Sequence, residues 1–291
     1  MLSITGGHGD AHSPALGIPL THALEVDGVC DGVDGVRKKV REVLRAGAQV
    51  IKAATSGGVL SPTADPSHAH LTREELETIV DEAARHGGVK AMAHAQAAEG
   101  IKNAVRAGFH SIEHGIYLDD EAIDLLLTQG TYLVPTLLAP YSVLEAAREG
   151  KRVPAYAVEK TKGVIDAHAE SIARAYKAGV RIAFGTDSGV GPHGTNLKAL
   201  ELLTGIGMTP MEAIVAATST ASACLGWEDR VGTIAAGKRA DVVVSRTSPL
   251  GNIGALTDPA NLLLVMQAGQ AVTNHLSRER TVGPPGVRPV M

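Results

Sequence analysis

Four side chains able to serve a metal centre stand at or near the ends of four apolar, strand-like runs, in the order lysine, histidine, histidine, aspartate. Lys52 lies in Val50-Ile51-Lys52-Ala53-Ala54 and His94 closes Val89-Lys90-Ala91-Met92-Ala93-His94. His114 closes His110-Ser111-Ile112-Glu113-His114, and Asp187 closes Arg181-Ile182-Ala183-Phe184-Gly185-Thr186-Asp187. In a parallel barrel, polar residues that end successive buried strands gather at one rim, where the chemistry is done. Neutral imidazoles are the usual nitrogen ligands of zinc. A bound ion brings the pKa of its water toward ~7, and a carboxylate beside it can take that proton and pass it to a leaving group. The four residues in this order point to a metal-dependent hydrolase. Each also has a plainer reading. A strand-end lysine can snorkel to solvent, a strand-end histidine can be a hydrogen-bonded core residue, and Asp187 can cap the turn at Ser188-Gly189. Their joint occurrence at four strand ends favours the site.

The elements that must hold these residues alternate from about residue 34 to residue 225. Val36, Val40, Val43 and Leu44 share one helical face over residues 34–46. Thr72 followed by Glu75 is a capping box that opens a helix running to about His86. Further helices are expected over residues 97–107, 119–128 and 155–178. Thr209-Pro210-Met211-Glu212, with an N-cap, a first-position proline and an acidic third position, starts another. Between the helices fall the strands, including Thr131-Tyr132-Leu133-Val134-Pro135, many of them preceded by glycine. Such alternation argues for parallel βα units. The twenty residues from His94 to His114 leave room for one short helix between adjacent strands. Five clear strands precede residue 190, with a further remnant at Leu2-Ser3-Ile4-Thr5, whereas a closed barrel needs eight. From Val231 the pattern becomes turn-linked β-strands without intervening helices. The expected organisation is a partial barrel over residues 1–228, a small β-subdomain over 229–275 and a Pro/Gly/Arg-rich tail over 276–291.

Composition narrows the function classes. The 291 residues carry a net charge of −4, with 44% hydrophobic and 20% charged residues, as in an ordinary globular enzyme and unlike a nucleic-acid binder. No run approaches the ~18 apolar residues of a membrane span. Neither a basic stretch nor an apolar core of a signal peptide stands at the N-terminus, and two cysteines, Cys30 and Cys224, read as reduced thiols, so a cytoplasmic setting is expected.

The motifs together resemble the amidohydrolase superfamily, in the branch of imidazolonepropionase-like enzymes and Xaa-Pro or Xaa-Arg dipeptidases. The resemblance is carried by Gly6-Gly7-His8-Gly9-Asp10, Ile51-Lys52 with Thr55-Ser56-Gly57-Gly58-Val59-Leu60-Ser61-Pro62, His94-Ala95 with Gly100-Ile101, Ser111-Ile112-Glu113-His114-Gly115, Gly185-Thr186-Asp187 and Gly237-Lys238-Arg239-Ala240-Asp241. It implies a (β/α)8 TIM-barrel fold and hydrolysis of a C–N bond in a dipeptide-like or cyclic amide by metal-activated water. It also implies Lys52 as a carboxylated lysine bridging two zinc or similar divalent ions, His94 and His114 as ligands of the second ion, and Asp187 as metal-contacting acid and base. In the family a His-x-His on the first barrel strand binds the other ion. No such pair precedes Lys52, and Met1 aligns near the end of the third strand, so the barrel is expected to run from strand 3 to strand 8. The alternative is a catalytically impaired barrel fragment or binding subunit lacking the first metal site. Exposed sheet edges then favour a homo-oligomer.

Other polar residues are candidates for the substrate. His193, in Gly191-Pro192-His193-Gly194, follows the Asp187 run, and His8 lies on the loop after the N-terminal strand. Tyr117, three residues past His114, could reach a substrate carboxylate or oxyanion. His68 and His70 spell His-x-His but precede a helix in a polar loop and read as surface or lid residues.

Overall fold

The computed structural model describes residues 1–10 and 27–276. A parallel sheet in the order β1 (Val50–Ala54), β2 (Lys90–Ala95), β3 (Ser111–His114), β4 (Tyr132–Val134) forms its centre. Bridges extend it on both flanks: Leu2 pairs with Ala53, Ser3 pairs in turn with Val29, and Ile182 pairs with Leu133, all in parallel. Helices α1 (Gly32–Arg45), α2 (Arg73–Arg85), α3 (Ala98–Ala107) and α4 (Asp120–Gln129) cover the outer face, each joining consecutive strands or leading into them. Ile51, Ala53, Ala91, Ala93, Ile112 and Leu133 point to this side and are buried in one core with Leu76, Ile79, Ile101 and Leu126. The result is a partial βα barrel.

Local chemistry explains where the helices begin. The capping box of α2 forms as its sequence predicts, Thr72 accepting from the Glu75 amide while Glu75 accepts from the Thr72 amide. Two helices had no such signal. Helix α5 (Leu138–Arg148) and, after α6 (Ala155–Ala178), helix α7 (Lys198–Gly205) start behind Leu137 and Leu197, with no side-chain cap, so tertiary packing rather than local capping sets their ends. Helix α8 (Pro210–Val215) continues through a π-helical turn over Ala216–Thr220 into α9 (Ala221–Leu225). The carbonyl of Cys224 near its end accepts from Lys90 Nζ at 3.1 Å and His110 Nε2 at 2.9 Å, which ties α9 to the starts of β2 and β3, the rim opposite the histidines.

The strand expected over residues 181–187 is shorter than its pattern suggests. Pairing stops near Ile182, and the Phe184 amide turns to the Ala216 carbonyl at 3.0 Å. Beyond the parallel sheet, β5 (Val242–Ser245), β6 (Leu262–Gln267) and β7 (Gln270–Asn274) form an antiparallel sheet of their own. Two short 3-10 turns, Ile253–Thr257 and Pro259–Asn261, interrupt the connection from β5 to β6, where turns alone were expected. The expected C-terminal tail lies outside the described residues from 277 onward.

Candidate active site

Register places the site. Ala54, His94, Glu113 and Val134 form one row across the sheet, and Lys52, Met92, Ser111 and Tyr132 form the row two residues earlier. Because side chains alternate along a strand, both rows share the inner face, opposite the helix-packed core. His114 follows Glu113 and by alternation would face outward. Its backbone instead adopts φ +78°, and its ring lies edge-on to that of His94 with centroids 4.5 Å apart. On the other side of His94 the His8 ring stacks at 4.0 Å. Gly58 makes that stack possible, since a β-carbon there would meet the His8 ring at 2.3 Å.

Hydrogen bonds and burial fix the state of these rings. His94 Nε2 donates to the Gly57 carbonyl at 3.0 Å, which leaves Nδ1 as a lone pair. His114 Nδ1 shares a 2.6 Å hydrogen bond with Thr136 Oγ1, and His8 Nδ1 lies 3.0 Å from Ser61 Oγ. Burial, then neighbouring positive and imidazole groups, hold His94 and His114 far below the ordinary histidine range. Burial followed by the Lys52 charge brings His8 down to about 4. The charge of Lys52 acts on all three rings and on Glu113, so the lysine sits among them electrostatically. Thr136 at φ +49° and Asp187 at φ +54° join His114 in left-handed backbone. Such conformations cost on the order of 1–3 kcal/mol each and concentrate where geometry serves a site.

Besides Thr136, three contributors had no role in the sequence reading. Glu113, 6% exposed, accepts from Ser111 Oγ at 2.6 Å. Burial raises its carboxyl to about 7, against the opposing effects of Ser111 and Lys52. Only the strand register reveals that it shares the His94 face. His168, on the buried stripe of α6, donates from Nε2 to the His114 carbonyl at 2.9 Å and so braces the bend that turns His114 inward. Its Nδ1 is buried without a partner, and so is Oε1 of Gln96. An unsatisfied buried acceptor costs about 1–3 kcal/mol. A histidine in the spacing Val164-His168-Ser171-Ile172-Ala175 was a visible signal, a polar ring in an otherwise core-facing helical stripe.

His8, His94, Gln96, His114, His168 and Asp187 line one cavity, walled by apolar residues from the loop after β1 and from α5. Its volume, about 60 Å3, is room for a few waters at ~10–15 Å3 each. Asp187 is on the exposed side of this wall. Tyr117 packs against Val59, Ile116 and Val164 beside the cavity rather than on its lining. His193 lies on an exposed stretch away from the lining. His68 is exposed and His70 half-buried, on a loop that folds back so that Ala69 pairs with Ser56. Lys160 of α6 fastens this loop by donating to the carbonyls of Ser61 and Ala64, both at 2.7 Å.

The donor set can be tested for a metal ion. His94 and His114 are neutral, and each has one nitrogen engaged by a carbonyl or hydroxyl and the other uncommitted, the arrangement that orients ligating histidines. Among the described residues no third His, Cys, Asp or Glu joins them closely enough to form a three-ligand cluster. These residues supply two imidazole nitrogens toward a ligand set, and any further ligand would have to come from a group of another kind.

A parallel barrel sheet with imidazoles and a lysine on its inner face, and an aspartate at the rim, is a βα barrel with its polar groups gathered at one end. The sequence model of the amidohydrolase family matches residues 6–272, and the chain belongs to that family. It is 35% identical over 288 residues to ochratoxinase of Aspergillus niger, covering 92% of this chain and 58% of that protein. Imidazolonepropionase of Roseobacter denitrificans is 29% identical, over 82% of this chain and 48% of that protein. Among solved structures, a Xaa-Pro dipeptidase with methionine bound in its active site superposes with a TM-score of 0.85 at 35% identity, covering 94% of this chain and 66% of that one. The chain thus spans less than two thirds of the length of these relatives.

Proposed function

We propose that this protein is a metal-dependent amidohydrolase that cleaves a C–N amide bond of a dipeptide-like or cyclic amide substrate. The observation that carries the reading is the pair of neutral, hydrogen-bond-oriented imidazoles of His94 and His114, which line one cavity with Asp187 above a sheet face that also carries Lys52. Membership of the amidohydrolase family and likeness to a Xaa-Pro dipeptidase support the substrate class. A zinc-type ion on His94, His114 and carboxylated Lys52 would polarise the scissile carbonyl and activate water at neutral pH.

The chain's own residues do the rest. Asp187 accepts a proton from the attacking water and delivers it to the leaving nitrogen as the C–O bond forms and the C–N bond breaks. His168 and Thr136 keep His114 in its inward setting, one through the carbonyl and one through the ring. The apolar wall of Val59, Ile116 and Val143 limits water around the substrate. His8, stacked on His94, is the substrate-facing residue of the N-terminal loop.

Zinc content of the purified chain is the direct test of the ligand set. Lys52→Ala should remove most bound zinc, with partial recovery when a short-chain carboxylate is added to replace the lost oxygen. Zinc retained at the wild-type level would refute the role of Lys52. A second reading, a binding subunit without turnover, is favoured by one observation, the lack of a third His, Cys, Asp or Glu beside the histidine pair among the described residues.

A further inference from the structure

Gln96 and His168 do something the hydrolytic chemistry leaves unexplained. Both side chains are almost fully buried, at 5% and 1% exposure, both line the cavity, and each carries an acceptor with no partner. For His168 the cause is clear. The His114 carbonyl takes the Nε2 proton at 2.9 Å, so Nδ1 is left as a lone pair. Gln96 has its backbone amide engaged with Ser56 Oγ at 2.8 Å, while its side-chain oxygen faces no donor. Two neutral acceptors stranded in one cavity call for a ligand that brings at least two N–H or O–H donors.

We propose that Gln96 and His168 form an amine-recognising subsite that takes the free primary amino group on the acyl side of the substrate. The proposal rests on the amide-hydrolase reading for the kind of molecule that enters, but on different atoms. Donor counting selects the amine. A secondary amide offers one N–H and leaves one acceptor stranded, whereas a primary ammonium offers three and satisfies both. Charge agrees, because Asp187 is the one carboxylate among the residues lining the cavity, and it faces otherwise neutral imidazoles and apolar groups.

Calorimetric titration of the full 291-residue chain with L-alaninamide and with N-acetyl-L-alaninamide tests the subsite without requiring turnover. The free amine should bind tighter by on the order of tenfold or more, since the two probes share one carboxamide and differ only at the other nitrogen, where an ammonium offers three donors and the acetamide one. Gln96→Leu should abolish the preference without lowering the melting temperature, because it removes an unpartnered acceptor and not a hydrogen bond. Gln96→Glu, which keeps an acceptor at that place, should retain it. Equal affinity for the two probes, no measurable binding of alaninamide, or a preference that survives in Gln96→Leu would each overturn the proposal, the last two meaning that the acceptors are met by water or not at all. Dipeptide hydrolysis measured alongside separates the two readings. A preference without turnover leaves the subsite standing and refutes the hydrolytic reading, and turnover without a preference does the reverse.

Discussion

Glu113 shows how much a single buried carboxyl can reveal about the inner face of the sheet. It titrates near 7 in the fold against 4.5 in its ordinary state, chiefly because burial disfavours the charged form. A raised carboxyl pKa stabilises the fold fully below the unfolded value of 4.5, and that contribution is lost as pH rises through 7. Glu113→Gln keeps the shape and the Ser111 contact while removing the titration. The variant should therefore gain stability relative to the wild type between pH 4.5 and 7 and hold the gain above it, as thermal melts across that range would read out. A constant difference between the two proteins at every pH would show that Glu113 ionises as freely as an exposed carboxylate. At the same scale, Asp187→Asn should lower kcat far more than it raises KM, since it deletes a proton carrier needed during the reaction and not a ground-state contact. An effect confined to KM would reassign Asp187 to substrate binding.

At the scale of elements, most of what positions the site was legible. The apolar runs around Lys52, His94 and His114, the glycines before them, the capping box at Thr72 and the N-cap and proline at Thr209-Pro210 are local signals, and β1, β2, β3, α2 and α8 follow them closely. What was not legible depends on register or on contacts distant in sequence. The pairing of His94 with Glu113, the left-handed turn at His114, and the brace from His168 on α6 arise only once β2, β3 and α6 are packed together. The strand before Asp187 was overread because its apolar pattern continues past the point where Phe184 leaves the ladder for Ala216. The stretch before α2 was readable as a polar loop, yet its fastening was not, since Lys160 lies about a hundred residues away. Lys160→Met should release that fastening while keeping most of the side-chain volume. Amide hydrogen exchange over residues 57–70 should quicken while the α2 amides keep their protection. Unchanged exchange in the loop would mean that the Ser56–Ala69 pairing alone holds it.

Across the whole molecule, histidine burial sets the response to acid. His8 and His168 titrate near 4, and His70, His94, His110 and His114 are also lowered from 6.5, in every case with burial as the first cause. For a base whose folded pKa is depressed, the neutral form favours folding above 6.5, and that favour is lost as pH falls toward 4. Glu113 acts in the opposite sense but is one group against six. The melting temperature should fall steadily from pH 6.5 to 4, and a flat profile there would contradict the buried, neutral state of the site histidines. No helix among the described residues is long and apolar enough to cross a membrane. The antiparallel sheet exposes Val243 and Val272, and the preceding stretch exposes Leu225 and Ile234.

The central claim is that the inward-facing histidine pair, with Lys52 and Asp187, performs amide hydrolysis, and steady-state cleavage of a Xaa-Pro dipeptide by the zinc-supplemented chain tests it most directly. The wild type should release free proline with saturable kinetics, and His94→Ala and His114→Ala should each lower kcat/KM by at least ~100-fold, in the range that loss of a metal ligand or its support produces. Equal cleavage by the wild type and both variants, or no cleavage by a folded, zinc-loaded wild type, would contradict it.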